Sequence, residues 1–212
     1  MKTKSSALVL LAFVCTLVAA EVNAQTQPAA SSKTILVVDR GNIQRSVVAQ
    51  LVFQRIIKER GLEQRYRVIS RGMQGTPASP EIPMHNNLRF YSAANGSAGM
   101  EWEHSEPTLQ ELGLLADFTQ HKATVLTRKD LEEATLVISM DTPTVSDPTY
   151  GLEAQFKEFR GKVMLFTELV GSGAGIADGY GSSDPKRHRQ LILDVDRIAR
   201  QGFDELLRRV NK

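Results

Sequence analysis

The stretch Lys33 to Ser46, KTILVVDRGNIQRS, decides how the rest of the chain is read. It begins with the uninterrupted apolar run Ile35-Leu36-Val37-Val38, the pattern of a strand buried on both faces. The polar loop Asp39-Arg40-Gly41-Asn42 follows, and an amphipathic helix is predicted to begin near Ile43 or Arg45. Strand, short glycine-containing loop and helix N-terminus form a backbone cradle for an oxyanion, because loop N–H groups and the positive end of the helix point at one spot. Arg45 stands where its planar fork can add a bidentate clamp.

Downstream, Val48, Leu51, Val52 and Ile56 make one stripe of a helix running to about Arg60, with Gly61 as its stop. Tyr66–Ser70 reads as a second strand. Residues 72–105 are dense in Gly, Pro, Ser and Asn without a sustained period, and are expected to be a long loop. Its aromatics Phe90, Tyr91 and Trp102 are read first as pins holding that loop to the body, and second as a lining of the cleft mouth. From Glu106 a helix is expected, then a helix capped by Thr127 and Asp130 at capping-box spacing, then a strand over Thr135–Asp141. A helix over Tyr150–Phe159, a fourth strand over Lys162–Leu169 and a glycine-rich loop from Gly171 follow. Pro185 opens a final helix expected to run unbroken to about Val210. Four strands alternating with helices predict an α/β fold: a four-stranded parallel sheet, doubly wound with helices on both faces.

The N-terminus carries Lys2 and Lys4, an apolar run from Ala7 to Ala20, and Val22-Asn23-Ala24, the composition of a signal peptide cut after Ala24. The chain is therefore expected to be secreted or periplasmic, with residues 1–24 as leader, 25–32 as a flexible lead-in and 33–212 as one domain. The single cysteine, Cys15, leaves with the leader, so the mature chain has no thiol. With 26 basic against 24 acidic residues the charge is nearly balanced, which gives no footprint for nucleic acid or, after cleavage, for a membrane.

The cradle resembles the phosphate loop of the low-molecular-weight protein tyrosine phosphatases, a family that includes arsenate reductase-like relatives. The family pattern is hydrophobic strand, Cys, five residues, Arg, Ser; Gly41, Asn42, Arg45 and Ser46 fall on it. Asp39 stands in place of the nucleophilic cysteine, and Gln44 in place of a second one. The run His121-Lys122-Ala123, Leu126-Thr127, a helix, a strand and Met140-Asp141 follows the family signature. Asp178-Gly179-Tyr180 resembles the family's acid loop with its proline lost, and the glycine is expected to leave that loop freer to move. Residues 72–105 are an insertion relative to the family.

The resemblance implies Arg45 as oxyanion clamp, Asp178 as general acid and Asp39 as a degenerate nucleophile position. Arg40, Gly41, Asn42, Ile43, Gln44, Arg45, Ser46 and Tyr180 would line the ligand site. A carboxylate is a weak nucleophile beside a thiolate. Asp39 is expected to reach into the cradle, accept its N–H groups and thereby lower its own pKa. His121 is read as a structural histidine that holds a loop. The leading expectation is a pseudophosphatase that binds a phosphate-like anion, a phosphorylated small molecule or a protein, without metal or cofactor. Two alternatives stand beside it: a hydrolase of phosphoric monoesters or protein phosphotyrosine using a non-cysteine or metal-assisted mechanism, and a structural interaction module.

Overall fold

Strand β1 (Lys33–Asp39) is the axis of the molecule, and its apolar run divides between two cores. Ile35 and Val37 face a large cluster with Val48, Val52, Phe53, Leu191 and Val195; Leu36 and Val38 face a smaller one with Met73, Leu131 and Leu152. That division is why no polar residue interrupts the run Ile35–Val38. The structure, a computed structural model, describes residues 32–79, 87–89 and 101–212. The leader, the lead-in before Ser32, and Phe90 and Tyr91 of the insertion lie outside the described residues.

β2 (Tyr66–Gly72), β3 (Ala134–Ser139) and β4 (Val163–Leu165) complete a four-stranded, all-parallel sheet in the order β2-β1-β3-β4. The chain leaves β1 toward β2 on one side and later returns to its other side as β3. A crevice therefore opens at the carboxyl ends of β1 and β3, where ligands bind in open α/β sheets. α1 (Arg45–Glu59) packs its buried face on this sheet and stops at Gly61, whose φ of +63° suits a residue without a Cβ. The capping box of Thr127 and Asp130 opens α4 (Arg128–Glu133), after α2 (Glu101–Glu111) and α3 (Leu115–Gln120).

Several expected boundaries are corrected. α2 starts at Glu101, inside the stretch read as loop, and accommodates Pro107 within it. The helix expected over Tyr150–Phe159 shrinks to α6 (Leu152–Gln155), after the short α5 (Thr142–Ser146); a 3-10 turn over Lys157–Lys162 follows. The fourth strand ends at Leu165 because Phe166–Val170 coils into a 3-10 turn. The last helix is two, α7 (Pro185–Gln201) and α8 (Phe203–Val210). Gly202 divides them where the chain presses on that 3-10 turn: a Cβ there would stand 2.5 Å from Leu169 Cβ and 3.0 Å from the Ile198 carbonyl oxygen.

Candidate functional site

The cradle is built by residues 39–46, and Asn42 is its keystone. Asn42 takes a left-handed conformation, φ +53°, which asparagine tolerates better than most side chains. Its amide nitrogen Nδ2 donates to Ser46 Oγ (3.0 Å) and Ser70 Oγ (2.8 Å), while its Oδ1 accepts from the Thr124 amide (2.9 Å). His121 Nε2 donates to the Asn42 carbonyl at 3.1 Å, and burial lowers the histidine pKa, which keeps it neutral. His121 thus has the loop-holding place read for it in the sequence. Neither Asn42 nor Ser46 faces the open cavity; both hold the cradle from behind.

Asp39 occupies the floor of the cradle, only 3% exposed. Its Oδ1 accepts from the Asn42 amide (2.6 Å) and its Oδ2 from the Ser46 amide (2.9 Å). The expected reach of the carboxylate into the loop is therefore seen, but the expected fall in pKa is not. Burial pushes the Asp39 carboxyl up, and this outweighs Arg45 and the two amides, which pull it down. Desolvation of a fully enclosed carboxylate is the larger effect. The amides of Gly41, Ile43, Gln44 and Arg45 donate to no group among the described residues, and Gln44 provides no side-chain cap to α1.

Arg45, 3% exposed, reaches across the mouth of the cradle to the opposite wall. Its Nη1 donates to Asp141 Oδ2 (2.6 Å) and the Ile176 carbonyl (2.8 Å), and its Nη2 donates to Asp178 Oδ2 (2.5 Å). Burial works against its charge, yet Asp178, Asp39 and Asp141 together raise its pKa. Asp178 is 47% exposed, the more solvated of the two carboxylates bonded to the guanidinium.

The acid loop is set in place by packing. A Cβ on Gly179 would come within 2.9 Å of His188 Cε1 and 3.1 Å of Gln44 Oε1. Glycine is needed there because the loop lies directly on the cradle's Gln44 and the buried His188, which corrects the expectation of a freer loop. His188 Nε2 donates to the Ser182 carbonyl (2.8 Å), so the same ring ties down the loop's far end. Cradle and acid loop enclose a cavity of about 910 Å³, walled in part by Arg40, Asp141, Tyr150, Asp178, Tyr180 and Arg187. Tyr180 stands 72% exposed at its rim, and Arg40 stacks over the Tyr150 ring at 3.7 Å.

No family model and no curated protein sequence matches the chain. Solved structures do. The YwlE mutant from Bacillus subtilis superposes with TM-score 0.59 at 24% identity, covering 82% of this chain and 99% of that one. A low-molecular-weight protein tyrosine phosphatase from T. tengcongensis gives 0.57 at 22%, covering 82% and 99%. Wzb from Vibrio vulnificus, in complex with benzylphosphonate, gives 0.53 at 20%, covering 80% and 95%.

The chain has the low-molecular-weight protein tyrosine phosphatase fold. Within that fold, the structure brings Asp178 to Arg45, 133 residues away in sequence, and so to the cradle that holds Asp39. It adds Asp141, which sequence reading noted only as part of the Met-Asp run, and Glu101, Tyr150 and Arg187, which it did not single out. The Met140-Asp141 pair at a strand's carboxyl end was a usable signal for the first; the other three carry no motif of their own. Trp102 is buried and tilts against Phe118 at 6.4 Å between centroids, the place of a pin rather than of a cleft-mouth residue. Among the described residues, no group of three or more His, Cys, Asp or Glu is placed to hold a metal ion, and no helix is long and apolar enough to cross a membrane.

Proposed function

We propose that this is an exported pseudophosphatase: it uses the cradle to bind a phosphate-like oxyanion, free or carried by a small molecule or a protein, and does not turn phosphate esters over. The observation that carries the reading is the pairing of Asp39 with the cradle. Both its oxygens accept amides that would otherwise sit beneath a nucleophile, while four further amides around them find no acceptor among the described residues. A carboxyl so enclosed and raised in pKa is a poor nucleophile toward phosphorus. The open amides and the helix N-terminus retain the capacity to bind an anion.

A metal-assisted route through aspartyl phosphate is disfavoured by the same geometry. Asp141 and Asp178, the carboxylates that could share a cation with Asp39, are already bonded to the Arg45 guanidinium. Export rests on the leader-like composition of residues 1–24, and intact mass of secreted material beginning at Gln25 is the expected outcome. For the site itself, titration calorimetry with inorganic phosphate should show saturable binding that Arg45→Ala removes. p-Nitrophenyl phosphate should give no turnover above background with or without Mg²⁺. Turnover at ordinary phosphatase rates, lost in Asp39→Asn, would sink this reading.

A further inference from the structure

One arginine of the last two helices is unlike the rest. Every other arginine of α7 and α8 pairs with a carboxylate, from Arg189 with Glu111 to Arg209 with Glu205. Arg187, in the first turn of α7, pairs with no carboxylate among the described residues. It is exposed and lines the cavity, and its Nη2 donates to the Asp178 carbonyl oxygen at 2.6 Å. An exposed arginine is ordinarily a solvated charge on a mobile stem. This one is held by that bond, so less side-chain freedom is lost when its remaining N–H groups meet a ligand.

Asp178 ties Arg187 to the cradle. Its carboxylate takes Arg45 Nη2 and its carbonyl takes Arg187 Nη2, so one residue fixes the two guanidinium groups within roughly 10 Å of each other. The acidic groups nearby are engaged or enclosed. Asp141 and Asp178 hold Arg45, and Asp184 Oδ1 accepts the Lys186 amide. Glu101 is 2% exposed; its Oε1 accepts the Gly181 amide and its Oε2 is enclosed without a partner. Arg40, also in the cavity wall, lies over the Tyr150 ring at 3.7 Å.

We infer that Arg187 forms a second anion subsite, and that the cavity takes a phosphate monoester whose carbon chain also carries a carboxylate, the chemistry of a phosphorylated hydroxy acid. The inference rests on the oxyanion reading of the cradle. The phosphate takes the amides that Asp39 leaves open, and the carboxylate accepts from the Arg187 N–H groups that Asp178 does not engage. A charge-assisted hydrogen bond to an oriented guanidinium favours such ligands over esters ending in a neutral or cationic group.

The test compares phosphate monoesters of graded chain length ending in carboxylate, hydroxyl or ammonium, by calorimetry at low ionic strength on the wild-type protein. At the best-fitting length the carboxylate ester should bind about fivefold tighter than the hydroxyl ester, and the ammonium ester more weakly than both. Added salt should shrink the advantage. Arg187→Gln should abolish it; the advantage is a ratio within each protein, so any change in phosphate affinity itself cancels. Equal binding of carboxylate and hydroxyl esters at every length, with inorganic phosphate still bound, overturns the subsite alone. An advantage that survives in folded Arg187→Gln overturns Arg187 as its seat. No binding of inorganic phosphate overturns the subsite and the cradle reading together. The wild-type series decides the matter even if the variant does not fold.

Discussion

The two walls of the cavity are built in different ways. The cradle wall is largely local: Asp39, Asn42 and Ser46 bond one another within eight residues of chain, and Ser70, His121 and Thr124 brace Asn42 from outside. The opposite wall is assembled from α2, the end of β3 and the loop before α7, with Asp178 lying 133 residues from the arginine it binds. The local wall holds its shape through buried hydrogen bonds that leave amides open at the centre. The distant wall supplies charge, and that charge sets what the open amides can hold. Cradle geometry alone therefore does not define the site; Arg45 belongs to both walls at once.

The largest expected effect tests whether the local wall still suffices for chemistry. Asp39→Cys should raise p-nitrophenyl phosphate turnover by about a thousandfold or more over wild type, because a thiolate is a far stronger nucleophile than a buried carboxyl. Removing Arg45 in that background should cost on the order of a hundredfold, as loss of oxyanion stabilisation does. The packing of Gly179 on His188 and Gln44 argues that the acid loop is positioned for this rescue. A folded but inert Asp39→Cys protein would show that the distant wall has lost its catalytic arrangement.

A second prediction contrasts the stability of the two walls. Asn42→Ala leaves the hydroxyls of Ser46 and Ser70 and the Thr124 amide without their buried partner, at a positive φ that alanine disfavours. It should cost about 3 kcal/mol in urea unfolding. Tyr180→Ala, at the exposed rim of the distant wall, should cost no more than about 0.5 kcal/mol. Equal losses would erase the distinction between a local scaffold and a loosely built rim.

Smaller effects follow from the charges. Asp178→Asn removes a carboxylate that competes with incoming anions for Arg45 Nη2, and should tighten inorganic phosphate binding about tenfold by calorimetry. Weaker binding would mean that Asp178 orients the guanidinium more than it occupies it. The Asp39 carboxyl has its folded pKa raised above its ordinary 3.8. The folded state therefore holds this proton more tightly than the unfolded state, and its contribution to stability is full below the unfolded pKa and lost as pH rises through the folded one. Wild type should lose stability relative to Asp39→Asn over that window, by at most about 1.4 kcal/mol per pH unit, in unfolding midpoints measured from acid to neutral pH. The opposite slope would mean that Arg45 and the two amides outweigh burial and hold the carboxylate charged.

Much of the scaffold was legible because its signals are local. The apolar run at Ile35–Val38, the Gly61 stop and the Thr127–Asp130 box each specify backbone geometry within a few residues. Alternation of such elements then implies a parallel sheet, since consecutive strands joined through helices must cross over. The ending of β4 at Leu165 and the break at Gly202 were hidden, because both depend on how the Phe166–Val170 turn meets the last helices.

The sequence by itself determined the strand–loop–helix cradle, the absence of a cysteine from it, and the presence of an arginine and a carboxylate at Arg45 and Asp39. Only the tertiary structure decided their electrostatic state. Burial of Asp39 outweighs the amides it accepts, Asp141 and Asp178 neutralise Arg45 from across the cavity, and Glu101 is left with one unanswered oxygen. The physical reason is that desolvation and charge pairing depend on distances between segments remote in the chain, 96 and 133 residues apart for the two partners of Arg45, whereas backbone conformation answers mainly to its near neighbours.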